Sequence, residues 1–241
     1  MDLLPAATAR ALLAAFRALG LDADAIRAGA AIAPESLEPV DGALPAAAFA
    51  RLWEGAFRRA PREELPAEVG LAVPFGGFGA LDYLAASSPD VRAAFHSLAT
   101  HFRSVSAGFG MEVEEDGGGA EVRLVWERPN AAREVSDEFT LAVLVGRFRA
   151  TAAFAAEQVR LTRHAPPRPT RHEQLLAAPV AFGCAVAALR VGAAAWRAPL
   201  RTADAALQHT LRQLSERLDL GRTSTDLERA VRVRLRGLLP Q

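Results

Sequence analysis

The sequence predicts an α+β protein in which a mainly antiparallel sheet packs on a long buried helix, preceded by an all-helical segment and followed by C-terminal helices. Two observations support this prediction. The hydrophobic period changes from 3.6 residues to two residues over 111–126, which marks a change from helices to a hairpin. A later helix, predicted for 133–155, has no charge between Glu138 and Arg147, and a helix that is apolar nearly all round is buried on both sides.

The N-terminal segment, about residues 1–65, is predicted to be all helical. Helices are predicted at 5–19, 23–28, 34–37 and 45–60. A helix-turn-helix over 9–37 is the alternative interpretation. Its recognition segment, 31–37, has no Arg, Asn or Gln to contact base edges, which argues against DNA binding here.

A glycine-rich turn at 76–79 leads into an apolar segment, 80–86, and then into an amphipathic helix. Ser88 is predicted as the N-cap of that helix, with Pro89 at its first position and Asp90 near the positive end of its dipole. Apolar residues follow at steps of four and three and form one narrow stripe: Val91, Phe95, Leu98, Phe102 and Val105.

Residues 111–126 alternate apolar and charged side chains on both sides of an Asp-Gly-Gly-Gly turn, as expected for a hairpin with one buried face. After the long helix, the pattern predicts a strand at 158–164, a short helix at 170–176 and a β-rich stretch at 180–191. Mixed helices and hairpin-connected strands of this kind indicate an α+β domain.

The C-terminal part is predicted to be helical from residue 202. Its leucines recur at steps of four, three and four, which favours either a short coiled-coil dimer seam or packing on the same chain. The candidate interface residues are Leu207, Leu211, Leu214 and Leu218. A capping box, Thr225 to Glu228, begins a last helix that is rich in arginine.

Composition excludes several kinds of chemistry. The 241 residues carry 28 basic and 28 acidic side chains, which argues against nucleic-acid binding by overall charge. The sequence contains no lysine, so phosphate-binding Walker motifs and Schiff-base catalysis are excluded within it. A single cysteine, the lack of a signal peptide and the lack of an apolar run of about 18 residues predict a cytoplasmic protein without a membrane segment.

No arrangement of side chains predicts an enzyme, a cofactor or a metal site. His164, His172 and Cys184 leave a Cys–His nucleophile open, but a buried structural cysteine is the simpler interpretation. Adjacent acids Asp137 and Glu138 are interpreted as part of a solvated face. Arg147, on the apolar helix, needs a partner, which is either an acidic ligand or an internal acid such as Glu138.

Aromatic side chains supply the candidate binding site, since small-molecule sites are mostly apolar with few polar groups. Each of these residues is alternatively a core residue. The candidate ligand-binding residues are Phe75, Phe78, Tyr83, His101, Phe102, Trp126, Phe139 and Arg147.

The turn and helix at 77–89, with the pattern G-x-G-x-L-x-Y-x-x-x-S-S-P, resemble the N-terminal "arabinose-binding" domain of AraC-type transcription regulators. The resemblance extends over about residues 10–205 and includes the hairpin and the segment EF…LAVLVGRFRA. It implies a domain that binds a small effector and that forms a homodimer. The aromatic, arginine-poor interior favours an apolar or mono-acidic molecule as this effector.

The resemblance also implies a domain division. We expect an effector-sensing domain at 1–205, made of a helical part (about 1–65) and an α+β part (about 66–205), and a linker or dimerisation helix at 206–222. Residues 223–241 would be the first helix of a truncated helix-turn-helix domain, through which alone the protein would bind DNA. A stand-alone interaction or ligand-binding module is the alternative, and an enzyme is the least favoured.

Overall fold

A computed structural model describes residues 3–39, 42–102, 106, 108–127 and 131–213. The helices are α1 Ala6–Ala18, α2 Ala23–Gly29, α3 Ala46–Arg59, α4 Leu65–Ala72, α5 Ala80–Ala86, α6 Val91–His101, α7 Arg133–Thr151, α8 Thr170–Leu176, α9 Ala193–Trp196 and α10, described over 205–213. The strands are β1 Leu3–Pro5, β2 Ala43–Pro45, β3 Phe109–Asp116, β4 Gly119–Trp126, β5 Ala156–Arg160, β6 Val180–Ala181 and β7 Ala188–Gly192. A 3-10 helix spans Pro34–Leu37.

Five strands form one sheet in the order β3-β4-β7-β5-β6, and only the β5–β6 pair is parallel. β1 and β2 form a separate antiparallel pair beside the N-terminal helices, so the N-terminal segment is helical except at these two short strands, which the sequence analysis did not predict. In the β3–β4 hairpin, Met111 lies opposite Leu124 on the buried face, whereas Arg123 forms ion pairs with Glu114 and Glu121 on the other face. The predicted α+β class and the hairpin are therefore confirmed.

Helix α7 lies between two hydrophobic cores. Phe139 and Val143 pack into the core of the N-terminal helices. Leu141, Leu144 and Val145 pack into the core that covers the sheet. The helix is thus buried on both sides, as its nearly all-round apolar composition predicted.

Helix α4 lies directly against α7, and a glycine permits the close approach. A Cβ added at Gly70 would lie 2.5 Å from the carbonyl oxygen of Phe139 and 2.7 Å from the Cβ of Ala142. The backbone N–H of Ala67, one turn earlier, donates to Oε1 of Glu138 at 3.2 Å. Close packing and this hydrogen bond together fix α4 on α7.

Two helix boundaries differ from the prediction. Helix α6 begins at Val91 because Asp90, not Ser88, is its N-cap and accepts from the N–H of Ala93 at 2.7 Å. Ser88 instead donates to the carbonyl of Leu84. Helix α7 ends at Thr151 rather than at residue 155, since Ala152 is extended (φ −140°, ψ 172°).

The C-terminal predictions lie largely outside the described residues. Leu207 and Leu211 belong to α10, with Leu207 41% exposed and Leu211 partly buried. Leu214, Leu218 and the helix expected at 223–241 fall beyond the described part of the chain. Among the helices that are described, none combines the length and the hydrophobicity that a membrane crossing requires.

Candidate functional site

A cavity of about 350 Å³ lies between the N-terminal helices, α5, α6 and one face of α7. Residues of α7 line it at intervals of three to four positions along most of the helix, because one face of a helix recurs with that spacing. The lining residues of α7 are Ser136, Phe139, Thr140, Val143, Leu144, Arg147, Phe148 and Thr151. The N-terminal part contributes Leu4, Thr8, Ala46, Ala47, Phe49 and Ala50.

One end of the cavity is aromatic. Phe102 packs edge-on against Phe109 with 5.4 Å between ring centroids, and Phe109 stacks on Trp126 at 4.4 Å. The indole Nε1 of Trp126 donates to Oδ1 of Asp137 at 2.7 Å, so the ring is fixed in the cavity wall. Thr162 donates to the other carboxylate oxygen of Asp137 at 2.9 Å.

Asp137 is fully buried behind this wall. Burial raises the pKa of its carboxyl group, although the hydrogen bonds from Trp126 and Thr162 and the charge of Arg133 act in the opposite direction. The interpretation of Asp137 and Glu138 as a solvated pair is wrong, because both side chains point into the protein and are bonded there.

The other end of the cavity carries an ion pair. Arg147 lies with its Nε 3.1 Å from Oδ1 of Asp82, and its guanidinium also donates to the carbonyls of Val73 and Pro74 at 2.9 and 2.7 Å. The ring of Phe75 lies 5.6 Å from the guanidinium carbon. Of the two partners that the sequence left open for Arg147, the structure gives an internal acid, and that acid is Asp82 rather than Glu138.

Six of the eight candidate ligand-binding residues line the cavity: Phe75, Phe78, Phe102, Trp126, Phe139 and Arg147. Tyr83 and His101 are not among the lining residues that the structure describes. Tyr83 is 45% exposed on the outer side of α5 and packs edge-on against Phe75 at 5.0 Å. His101 ends α6 one position before the lining residue Phe102. Whether any of them binds a ligand stays a prediction.

Sequence reasoning missed two kinds of lining residue. The wall from α1 and α3 was missed because its residues, such as Phe49, carry the same apolar pattern as the core. Asp82 and Thr140 were missed because an isolated polar residue in an apolar helix gives no signal of which way it faces. For Thr140, its place within the uncharged stretch of α7 was the available clue.

A second group of polar side chains, the Glu138 cluster, lies beside α4 and consists of the buried Glu138 and His172 and the half-buried Arg163. Oε2 of Glu138 accepts from Arg163 at 3.1 Å, and Oε1 lies 3.2 Å from Nε2 of His172. The thiol of Cys184 donates to the backbone carbonyls of Ala181 and Phe182. Among the described contacts, it forms no hydrogen bond to His172, as a Cys–His nucleophile would require. Across the described ranges, no group of His, Cys, Asp and Glu is arranged to hold a metal ion.

Comparison with known proteins gives the family. The model of the arabinose-binding domain of AraC transcription regulators, an N-terminal domain, matches residues 20–200. The chain belongs to this family. A search of curated proteins gave no match.

The fold of this AraC-type domain also resembles that of a solved regulator. The crystal structure of transcriptional regulator CdpR from Pseudomonas aeruginosa superposes with a TM-score of 0.59 at 17% sequence identity. The match covers 81% of this chain and 60% of the CdpR chain, so the present chain spans less than two thirds of that regulator's length. At this identity the likeness supports the fold alone.

Proposed function

We propose that the chain senses a small molecule for an AraC-type transcription regulator of the cytoplasm, and that it self-associates. An apolar or mono-acidic effector binds in the cavity and controls DNA binding by a helix-turn-helix domain of the regulator. The single observation that supports this proposal best is the cavity itself. The cavity has a volume of about 350 Å³, and its wall is mostly apolar with few polar groups, as is usual for small-molecule sites. The domain that contains it belongs to a family of transcription regulators.

The contacts between the cavity wall and the segment that leads to α10 give a route for a signal. Ala86, Thr151 and Leu200 all line the cavity. The hydroxyl of Thr202 donates to the carbonyl of Ala86 at 2.6 Å, and the N–H of Arg201 donates to the carbonyl of Thr151 at 2.8 Å. A movement of either wall would therefore displace the chain that enters α10.

The first residues of α10 are held to the same wall. The side-chain amide of Gln208 donates to Oγ of Ser88 at 2.9 Å, and Oγ of Ser88 donates in turn to the carbonyl of Leu84 in α5. For the effector to act, it must bind one arrangement of α5 and α10 more tightly than the other, since equal affinity for both shifts no equilibrium.

Native mass spectrometry of the purified chain tests the proposal. We expect an added mass from a co-purified ligand, or one acquired from a mixture of small molecules. Ala85→Phe, which places a ring in the cavity, should lose this mass, whereas Ala28→Phe on the exposed side of α2 should keep it. An added mass that survives Ala85→Phe would place the ligand elsewhere and contradict the proposal.

Self-association is proposed through the leucine seam of α10. Leu207 is 41% exposed and Leu211 is partly buried, so both offer apolar surface to a second copy. Leu211→Arg should convert a dimer to a monomer in the same spectrum, because an arginine in an apolar seam is left unpaired. Thr210→Arg adds the same charge at an exposed neighbouring position and should leave the dimer intact. A dimer that persists in Leu211→Arg would show that the interface lies elsewhere.

A further inference from the structure

We propose that the effector is an uncharged, elongated molecule, mostly hydrocarbon, whose one hydrogen-bonding group meets the hydroxyl of Thr140. This inference rests on the proposed function of the cavity and deepens it. It narrows the ligand from apolar or mono-acidic to neutral, and it excludes a sugar despite the name of the domain family.

The shape of the cavity favours an elongated ligand. Its lining residues on α7 run from Ser136 to Thr151. Fifteen residue steps of helix correspond to about 22 Å, at about 1.5 Å per residue. A volume of about 350 Å³ beside a wall of that length favours a narrow channel over a round chamber.

The charge of the wall favours a neutral ligand. Asp82 and Arg147 are the charged residues among the described side chains that line the cavity, and they neutralise one another. All three guanidinium nitrogens already have acceptors: Nε and Nη2 on Asp82, Nη1 on Val73, and Nη2 also on Pro74. Oδ2 of Asp82 also accepts from the N–H of Phe78 at 3.1 Å. A ligand carboxylate would find no free cation there, and it would lie beside the carboxylate of Asp82.

The polar groups of the wall favour a single hydrogen bond. Ser136 donates to the carbonyl of Ala132, Thr151 to that of Arg147, and Ser106 to that of Phe109. Thr140 is 8% exposed and lines the cavity near the middle of α7, and its hydroxyl has no hydrogen bond to any residue the structure describes. A ligand hydroxyl or carbonyl can pair with this hydroxyl, and a ligand that covered it without such a bond would bind less tightly.

A sugar does not match this wall. A pentose carries a hydroxyl or ring oxygen on every carbon, and each such group needs a partner when it is buried. Apart from the charged pair, which is already engaged, the cavity offers Thr140, Thr8, which already has a partner, and three hydroxyls that bond to backbone carbonyls. Most hydroxyls of arabinose would be left unpaired, so we expect no binding of L-arabinose.

Three decyl compounds that differ only in their head group test the proposal: 1-decanol, decanoate and decylammonium. Binding is followed at pH 7.5 by tryptophan fluorescence, because Trp126 lines the cavity, and by calorimetry. At this pH decanoate is ionised, since carboxylic acids titrate near about pH 4. We expect 1-decanol to bind at least about tenfold more tightly than either ion, because the ions would be buried unpaired. Ala85→Phe should abolish this binding.

Two substitutions test the named residues. Thr140→Val keeps the shape and should weaken 1-decanol about three- to tenfold, the value of one hydrogen bond. Thr100→Val makes the same change on α6 at an exposed position that does not line the cavity, and it should leave the affinity unchanged. Asp82→Asn frees the charge of Arg147 and should reverse the preference, with decanoate binding at least about tenfold more tightly than to the original chain. The ranking of the three probes on the unmodified chain decides the proposal even if Asp82→Asn does not fold.

Failure of this inference is separable from failure of the proposed function. Decanoate binding as tightly as 1-decanol, or L-arabinose competing with it, would overturn the neutral hydrocarbon class while leaving a sensor that binds another ligand. An added mass in the native spectrum that no decyl compound displaces would do the same. A chain that neither carries nor acquires a ligand would overturn both this inference and the proposed function.

Discussion

Replacement of Gly70 by alanine should destabilise the domain, because α4 and α7 are too close for a side chain between them. The added Cβ would lie 2.5 Å from the backbone oxygen of Phe139 and 2.7 Å from the Cβ of Ala142. Overpacking of this kind costs about 1–3 kcal/mol, and two contacts inside van der Waals distance place the cost near the upper end. Alanine regains about 1 kcal/mol through its helix propensity. The free energy of unfolding should therefore fall by about 2 kcal/mol.

Thermal denaturation followed by circular dichroism measures this effect. A loss of about 2 kcal/mol lowers Tm by about 4–8 °C in a domain of this size. Gly29→Ala is the matched control, since Gly29 is also helical and a Cβ there has no atom within 4 Å. Its Tm should stay the same or rise. Equal Tm values for the two variants would show that α4 does not approach α7 as closely as the structure places it. Because Phe139 lines the cavity, Gly70→Ala should also weaken 1-decanol binding.

Two further predictions concern carboxylates. Hydrogen bonds from His96, with others from neighbouring side chains, hold the pKa of Glu115 below its ordinary value of 4.5. Ionised Glu115 therefore stabilises the fold above about pH 4.5, and this contribution is lost as the pH falls through the lower folded-state pKa. Glu115→Gln should make Tm less sensitive to pH between 7 and 3, and an unchanged pH profile would contradict this. Glu138→Gln removes the buried carboxylate charge that pairs with Arg163 and should cost about 2–3 kcal/mol in urea unfolding. The exposed Glu134→Gln should stay within about 0.5 kcal/mol, and equal losses would contradict the role of the cluster.

Features that depend on local periodicity were predictable from the sequence. The β3–β4 hairpin, the core face of α6 and the burial of α7 on both sides each follow from side-chain patterns within fewer than 25 residues. The family resemblance, stated on the turn at 77–89 and the order of later segments, agrees with the family match over 20–200. Helix boundaries were less predictable, since Asp90 and Ser88 are both good N-caps by residue type.

Partners distant in sequence were not predictable. Arg147 on an apolar helix required a counter-charge, but Asp82 lies 65 positions away and the sequence offered many acids. Adjacent Asp137 and Glu138 had the composition of a solvated helix start. Their burial depends on Trp126 and Arg163, which reach them from the sheet side and from the segment after β5. Three-dimensional pairing, rather than residue type, determines each of these sites.

The distribution of contacts around the cavity indicates which wall an effector moves. Helix α7 is fixed on one side by the close approach of Gly70 and on another by the Glu138 cluster, and Asp137 ties it to the sheet through Trp126. Helix α5, opposite, is joined to α7 by the ion pair of Asp82 with Arg147, but it follows a glycine turn with positive φ at Gly76 and Gly79 and carries the exposed Tyr83. We infer that a ligand displaces α5 rather than α7. The carbonyl of Ala86, the last residue of α5, accepts a hydrogen bond from the hydroxyl of Thr202. A displacement of α5 therefore reaches the chain entering α10 directly. Thr202→Val should therefore leave 1-decanol affinity unchanged while reducing the ligand's effect on self-association.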